Sequence, residues 1–262
     1  MSATDTAETM LSQLGLKAMA AQCMDYAERC EKGGRSYIDY IVQLATIELE
    51  YRDQRRIERL TKQARLPSTK SLDEFQLQRI KGLSPSVLEA LRGGAFIDRY
   101  ENLLLFGNPG TGKTHLCLAL AQLWCEQGRR VLYTSAANLV QSLLRAKRDL
   151  ELDKMLRRFE KLDMIIIDDI SYVPYERHET DVLFTMLSER YERRSLMITS
   201  NVVFSDWESI FKDKMTTAAA IDRLVHHATI LELNATSYRS ESARKKKKPK
   251  AKAPKKTRRK TT

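Results

Sequence analysis

The chain has 262 residues, 42% of them hydrophobic, enough for one α/β domain and a smaller piece around a true core. No stretch approaches the roughly 20 apolar residues of a membrane span, and "MSATDTAETM" lacks the basic and apolar regions of a secretory signal. Four cysteines without metal-ligand spacing exclude a disulfide framework and a zinc module, so a reducing, cytoplasmic setting is expected.

Residues 7 to about 65 show apolar positions at helical spacing, interrupted at Gly33-Gly34. Near the end of this segment Arg52, Arg55, Arg56, Arg59 and Lys62 fall on one stripe, a face for phosphate or partner contact or simply a solvated one. Pro67 ends the helix and "LPSTKSLDEF" reads as a linker. From residue 100 short apolar strands alternate with helices. "NLLLFG", "RVLYTS", "DMIIIDDI", "LMITSN" and "TILELN" are the strands; 114–127, 137–162 (one long or two shorter), 179–194 and 217–228 are the helices. The pattern predicts a five-stranded parallel sheet flanked by helices, an α/β fold. Three regions follow: 1–66 helical and partner- or DNA-facing, 67–240 the α/β domain, and 241–262 a tail.

The net charge of +11 lies in that tail. From Arg244 onward twelve Lys and Arg stand without an acid, which leaves 33 of the 45 basic residues to face 34 acidic ones elsewhere. Such a segment buries no apolar area and is expected to be disordered. It suits a polyanion held by counterion release, or serves only to keep the protein soluble.

"GNPGTGKT", Gly107 to Thr114, lies between a strand and a helix and matches G-x-x-x-x-G-K-[ST]. Gly107, Gly110 and Gly112 let the backbone turn tightly and approach an anion, and Asn108, Pro109 and Thr111 complete the loop. Inward N–H groups and the helix N-terminus favour phosphate. Lys113 supplies charge for the β- and γ-phosphates of ATP, and Thr114 a hydroxyl for Mg²⁺. "MIIIDDI" ends a buried strand in two acids. Asp168 suits the second Mg²⁺ contact; Asp169 orients an attacking water or caps the next turn. Asn201, ending "ITSN", stands beside these acids if its strand lies between the first and third. Arg223 in "AAAIDRLVHH" is either an arginine finger or a salt-bridge partner of Asp222. His115 and His178 have no carboxylate or metal spacing around them.

These motifs in this order resemble an AAA+ ATPase. The run "DDISYVPYERHETDVLFTMLSERYERRSLMITSN", then "WESIFKDKMTTAAAIDRLVHHATILEL" and "SYR", resembles the IstB-like transposition helper ATPases, relatives of the DnaC-type helicase loaders, over roughly 70 to 240. The resemblance implies an ATP- and Mg²⁺-dependent oligomer that binds double-stranded DNA and assists a transposase, in a nucleoid-associated cytoplasmic setting. By motif, Lys113, Thr114, Asp168, Asp169, Asn201 and Arg223 take the ATPase roles. Many AAA+ enzymes carry Glu where this chain has Asp169, one methylene shorter, which leaves open fast hydrolysis or ATP as an assembly switch. Relatives in the initiator group touch DNA with an extra helix between the second and third strands; Arg145, Lys147, Arg148 and Lys154 are the candidates there. Tyr172, Tyr175 and Arg177 are candidates for lining a DNA path, and Arg239 for reaching nucleotide. A helicase loader is the alternative within the class. A small-molecule P-loop kinase fits less well, because it would show an Arg-rich lid instead of the Asn201 strand, the distant Arg223 and the basic tail.

Overall fold

The computed structural model describes residues 3–80, 82–171, 175–203, 206–207, 211 and 214–234. Tyr172, Arg239 and the basic tail lie outside the described residues. Three helices lead the chain: α1 (Ala3–Gln13), α2 (Lys17–Lys32) and α3 (Tyr37–Ala64). Gly33 and Gly34 separate α2 from α3, and Ser36 starts α3 with a capping box. Its Oγ accepts from the Asp39 N–H at 3.1 Å, and the Asp39 carboxylate accepts from the Ser36 N–H at 3.2 Å.

Glu48 turns inward from α3 and is buried. One carboxylate oxygen accepts from the N–H groups of Ala18 and Met19 in the first turn of α2, at 2.8 and 3.3 Å, while Arg52 Nε donates to the other at 2.9 Å. A negative charge thus meets the positive end of α2 across space. Arg55 pairs with Glu58, and Arg56 donates to the Gly128 carbonyl at 3.1 Å. Arg52, through Glu48, and Arg56 therefore tie α3 to its surroundings, whereas Arg59 and Lys62 are exposed.

The helix stops where Arg65 adopts a left-handed backbone (φ 56°), two residues before Pro67. The following segment passes through a 3₁₀ turn at Leu77–Arg79 and the short helices α4 (Pro85–Gly93) and α5 (Ala95–Asp98). Its Leu72 and Phe75 pack against the core, so the stretch read as a linker is partly docked.

The sheet has five parallel strands in the order β2-β3-β4-β1-β5: β1 (Asn102–Phe106), β2 (Val131–Ser135), β3 (Met164–Asp168), β4 (Ser195–Ser200) and β5 (Ala228–Glu232). The helices are α6 (Lys113–Glu126), α7 (Ala136–Arg148), α8 (Leu152–Glu160), α9 (Arg177–Arg190) and α10 (Lys214–Val225). The region 137–162 is two helices, broken at Leu150, whose φ is 57°. Alternate side chains serve opposite faces of the sheet. Leu103, Leu105, Ile166 and Met197 pack with α6 and with Leu60 and Ala64 of α3; Leu104, Ile165, Ile167 and Ile198 pack with α7, α9 and α10. Both faces are covered, as near-continuous apolar strands require. All four cysteines are buried thiols; burial pushes Cys125 up to about 11.

Arg190, 2% exposed, ties the ends of three elements. Its guanidinium donates to the carbonyls of Phe159 (2.6 Å), Leu162 (3.2 Å) and Ser195 (2.8 Å). Burial pushes its pKa down to about 9, which leaves it charged at neutral pH. Arg190→Ala strands these carbonyls and opens a void. The expected loss is about 3 kcal/mol of unfolding free energy, read from denaturant midpoints; a loss within experimental error would show that water replaces the guanidinium.

Candidate nucleotide-binding site

The glycine-rich loop leaves the carboxyl end of β1 and enters α6. Gly107 has φ 146°, and a Cβ there would come 2.5 Å from the Leu233 carbonyl oxygen, so only glycine lets the loop pass that backbone. Gly110 (φ 85°) and Gly112 (φ 102°) complete the turn, and the Thr111 hydroxyl donates to the Asn108 carbonyl at 2.9 Å. The loop faces a cleft of about 510 Å³, lined by Pro109 to His115, Asp168, Asp169, Thr199 and Asn201.

Because β4 lies between β1 and β3, Asn201 stands beside both the loop and the acids, as the conditional expectation required. Lys113 Nζ, on a nearly buried side chain, donates to the carbonyls of Gly107 (2.5 Å) and Asn108 (3.1 Å) and to Asn201 Oδ1 (2.5 Å). Asn201 Nδ2 donates to Asp169 Oδ1 at 2.9 Å. One amide therefore links the ammonium to the second acid. The Asp169 backbone is left-handed (φ 59°), and its N–H donates to Thr199 Oγ1 at 2.7 Å. Ser171 Oγ accepts from the Asn201 N–H at 2.9 Å.

Asp168 is buried and ringed by hydroxyls. Thr199 and Tyr133 donate to separate carboxylate oxygens at 2.7 and 2.6 Å, and Thr114 Oγ1 stands 3.0 Å from Oδ2. Burial and the Asp168 charge push the Tyr133 phenol up, so it remains a proton donor. A hydroxyl and a carboxylate this close form an oxygen-only pair suited to a hard cation such as Mg²⁺. Tyr133 and Thr199 had no motif to mark them.

The opposite wall was also missed. Lys70, Glu74, Phe75, Gln76 and Ile80 line the cleft. His115, given no role by the sequence, is 3.1 Å from the Ser71 carbonyl through Nε2, with its ring 5.6 Å from that of Phe75. It fastens this strap over the loop. The only available signal was the apolar pair Leu72 and Phe75 in a polar stretch.

Arg223 is exposed near the end of α10, and its Nη1 donates to Ser188 Oγ of α9, not to Asp222, the salt-bridge partner considered as the alternative to a finger role. That helix end leads to the amino end of β5, away from the cleft at the strands' carboxyl ends. Arg145, Lys147 and Arg148 are exposed in the last turn of α7; Arg148 pairs with Asp149 and Lys154 with Glu151. Arg177 is exposed at the start of α9. Tyr175 is not on a surface path: it is 5% exposed, with its ring stacked 5.4 Å from Phe211 inside the core.

A phosphate loop, two strand-end acids and an asparagine on the strand between them define a P-loop protein of the AAA+ type. The chain belongs to the family described as IstB-like ATP binding protein, whose model matches residues 9–248. It is 41% identical over 89% of its length to an insertion-sequence ATP-binding protein of Sinorhizobium fredii, covering 79% of that protein. It is 36% identical over 91% of its length to the insertion sequence IS21 ATP-binding protein of Pseudomonas aeruginosa, covering 90% of it. Among solved structures, AMPPCP-bound DnaA from Aquifex aeolicus shares the fold at 18% identity, with a TM-score of 0.52 over 73% of this chain and 58% of that one.

Lys113→Ala removes the one ammonium set within the loop's own carbonyls. Binding of a fluorescent ATP analogue is expected to fall by at least about a hundredfold, the loss of a buried charge-assisted contact; wild-type affinity would show that the backbone cradle alone holds the phosphates.

Proposed function

We propose that the protein is a Mg²⁺-dependent ATPase that assembles with copies of itself on double-stranded DNA and assists the transposase of an insertion sequence in selecting or reshaping its target. The observation that carries the reading is the Lys113–Asn201–Asp169 chain beside the Thr114–Asp168 pair. Lys113 and the loop N–H groups hold the β- and γ-phosphates. Bound Mg²⁺ supplies charge neutralisation for the phosphates, and Thr114 and Asp168 are the residues that would hold it. Asp169 and Asn201 orient the attacking water. Tyr133 and Thr199 keep Asp168 aimed.

Arg223 supports an assembly reading. Because it does not face its own cleft, we read it as serving a neighbour's γ-phosphate, where an arginine finger contributes about 10³–10⁵ in rate. The exposed Arg145, Lys147, Arg148, Lys154 and Arg177 and the 244–262 tail offer phosphate contacts for DNA in the nucleoid. The transposase link rests on relatives named for insertion sequences.

The test is ATP turnover with and without duplex DNA. DNA is expected to stimulate wild-type turnover. Arg223→Ala is expected to bind ATP as wild type does, hydrolyse it poorly, and recover turnover when mixed with Lys113→Ala, since one variant keeps the cleft and the other the finger. Wild-type turnover by Arg223→Ala alone would remove the trans role.

Deleting 244–262 is expected to leave ATP binding unchanged while lowering DNA affinity and flattening its dependence on salt, because fewer counterions are released. An unaltered slope of log affinity against log salt would show that the tail makes no phosphate contact.

A further inference from the structure

At the amino ends of the strands, opposite the nucleotide cleft, two turns meet. One follows α9 and carries Tyr191 and Glu192; the other joins α10 to β5 and carries His226 and His227. Glu192 Oε1 lies 3.8 Å from His226 Nδ1 and 3.7 Å from His227 Nε2. The ligand atoms of the three residues all fall within 4.8 Å of one another. Two ligands that each sit near 2.1 Å from a tetrahedral ion are about 3.4 Å apart, so Glu192 needs a few tenths of an ångström to share an ion with either histidine, and rotation of the exposed imidazoles supplies the rest.

We propose that Glu192, His226 and His227 form a binding site for a divalent transition metal of the zinc class. Two imidazoles and one carboxylate are the borderline nitrogen and oxygen donors that such an ion takes, with water in the fourth position. The hard-cation chemistry of the Thr114–Asp168 pair is different.

Two surrounding contacts prepare the site, and one is exchanged on binding. The Tyr191 hydroxyl stands 2.7 Å from His226 Nδ1, so an ion taken by that nitrogen displaces the phenol from its lone pair. The His227 carbonyl accepts from the Asn102 N–H at 2.7 Å, which ties the turn to β1. Glu101, held below the usual carboxylate range chiefly by its hydrogen bond to Arg99, keeps its negative charge near His227. The three ligands are half exposed, so an ion enters from solvent without opening the fold.

Occupancy would stitch the end of α9 to the end of α10, one turn beyond Arg223. The site does not depend on the ATPase reading, although it would steady the helix that carries the proposed finger.

The experiment titrates the full chain, stripped of metal with a chelator, with Co²⁺ alone and follows visible absorption, then displaces Co²⁺ with Zn²⁺. One saturable equivalent with the intense bands of a four-coordinate ion is expected. His226→Ala, His227→Ala and Glu192→Gln are each expected to weaken it by roughly tenfold or more, the scale seen when metal-site support is lost. His178→Ala and Asp168→Asn are expected to keep it, which separates the site from a stray histidine and from the cleft. Zn²⁺ should raise the thermal midpoint of wild type and not of His227→Ala. Absence of a saturable equivalent, or equal affinity in all variants, would overturn the proposal. ATP turnover is not read, so its outcome and that of the proposed function fail separately.

Discussion

An ammonium taken out of water needs oxygens around it, and the centre of this protein is arranged to provide them. Lys113 Nζ is met by two carbonyls of its own loop and by the Asn201 amide. The amide reaches it only because β4 enters the sheet between β1 and β3, although β3 precedes it in the chain and β1 lies far upstream. Strand order is thus a condition of the site's electrostatics. The same order sets Asp168 between a loop threonine, a β2 tyrosine and a β4 threonine, so three elements converge on one carboxylate. Moving any of these strands by one residue would turn its polar end residues to the other face.

The parts of this arrangement that were legible in the sequence are those in which chemistry is local. The octet states its own turn through its glycines, and "MIIIDD" shows a buried strand ending in charge. The parts that were not legible depend on distant partners. Tyr133 in "VLYTS" looks like an ordinary strand aromatic until β3 is placed beside it. Tyr175 looks like a surface aromatic among charges, and Phe211, far along the chain, turns it inward. Arg190 resembles any basic residue at a helix end, yet three carbonyls from other elements close over it. The strap of residues 70–80 has no periodicity, and only its contacts with His115 reveal its position.

Family membership and geometry constrain different things. The family places the chain among ATP-binding proteins of insertion sequences. The geometry adds which side chains face the cleft and which point away from it. Arg223 is the clearest case: it sits at the far end of the sheet on a helix held by α9, and it is not among the residues that line its own cleft.

The left-handed backbone at Asp169 bears on why the acid there is short. Non-glycine residues seldom adopt positive φ, and aspartate and asparagine are several-fold enriched among those that do. The turn at 169 lets the Asp169 N–H reach Thr199 Oγ1 while the carboxylate meets Asn201. A glutamate in this elbow would carry an extra methylene on a less accommodating backbone, and its carboxylate would overshoot the amide. Side-chain length and chain direction at this corner are therefore a matched pair, and exchanging one calls for rebuilding the other.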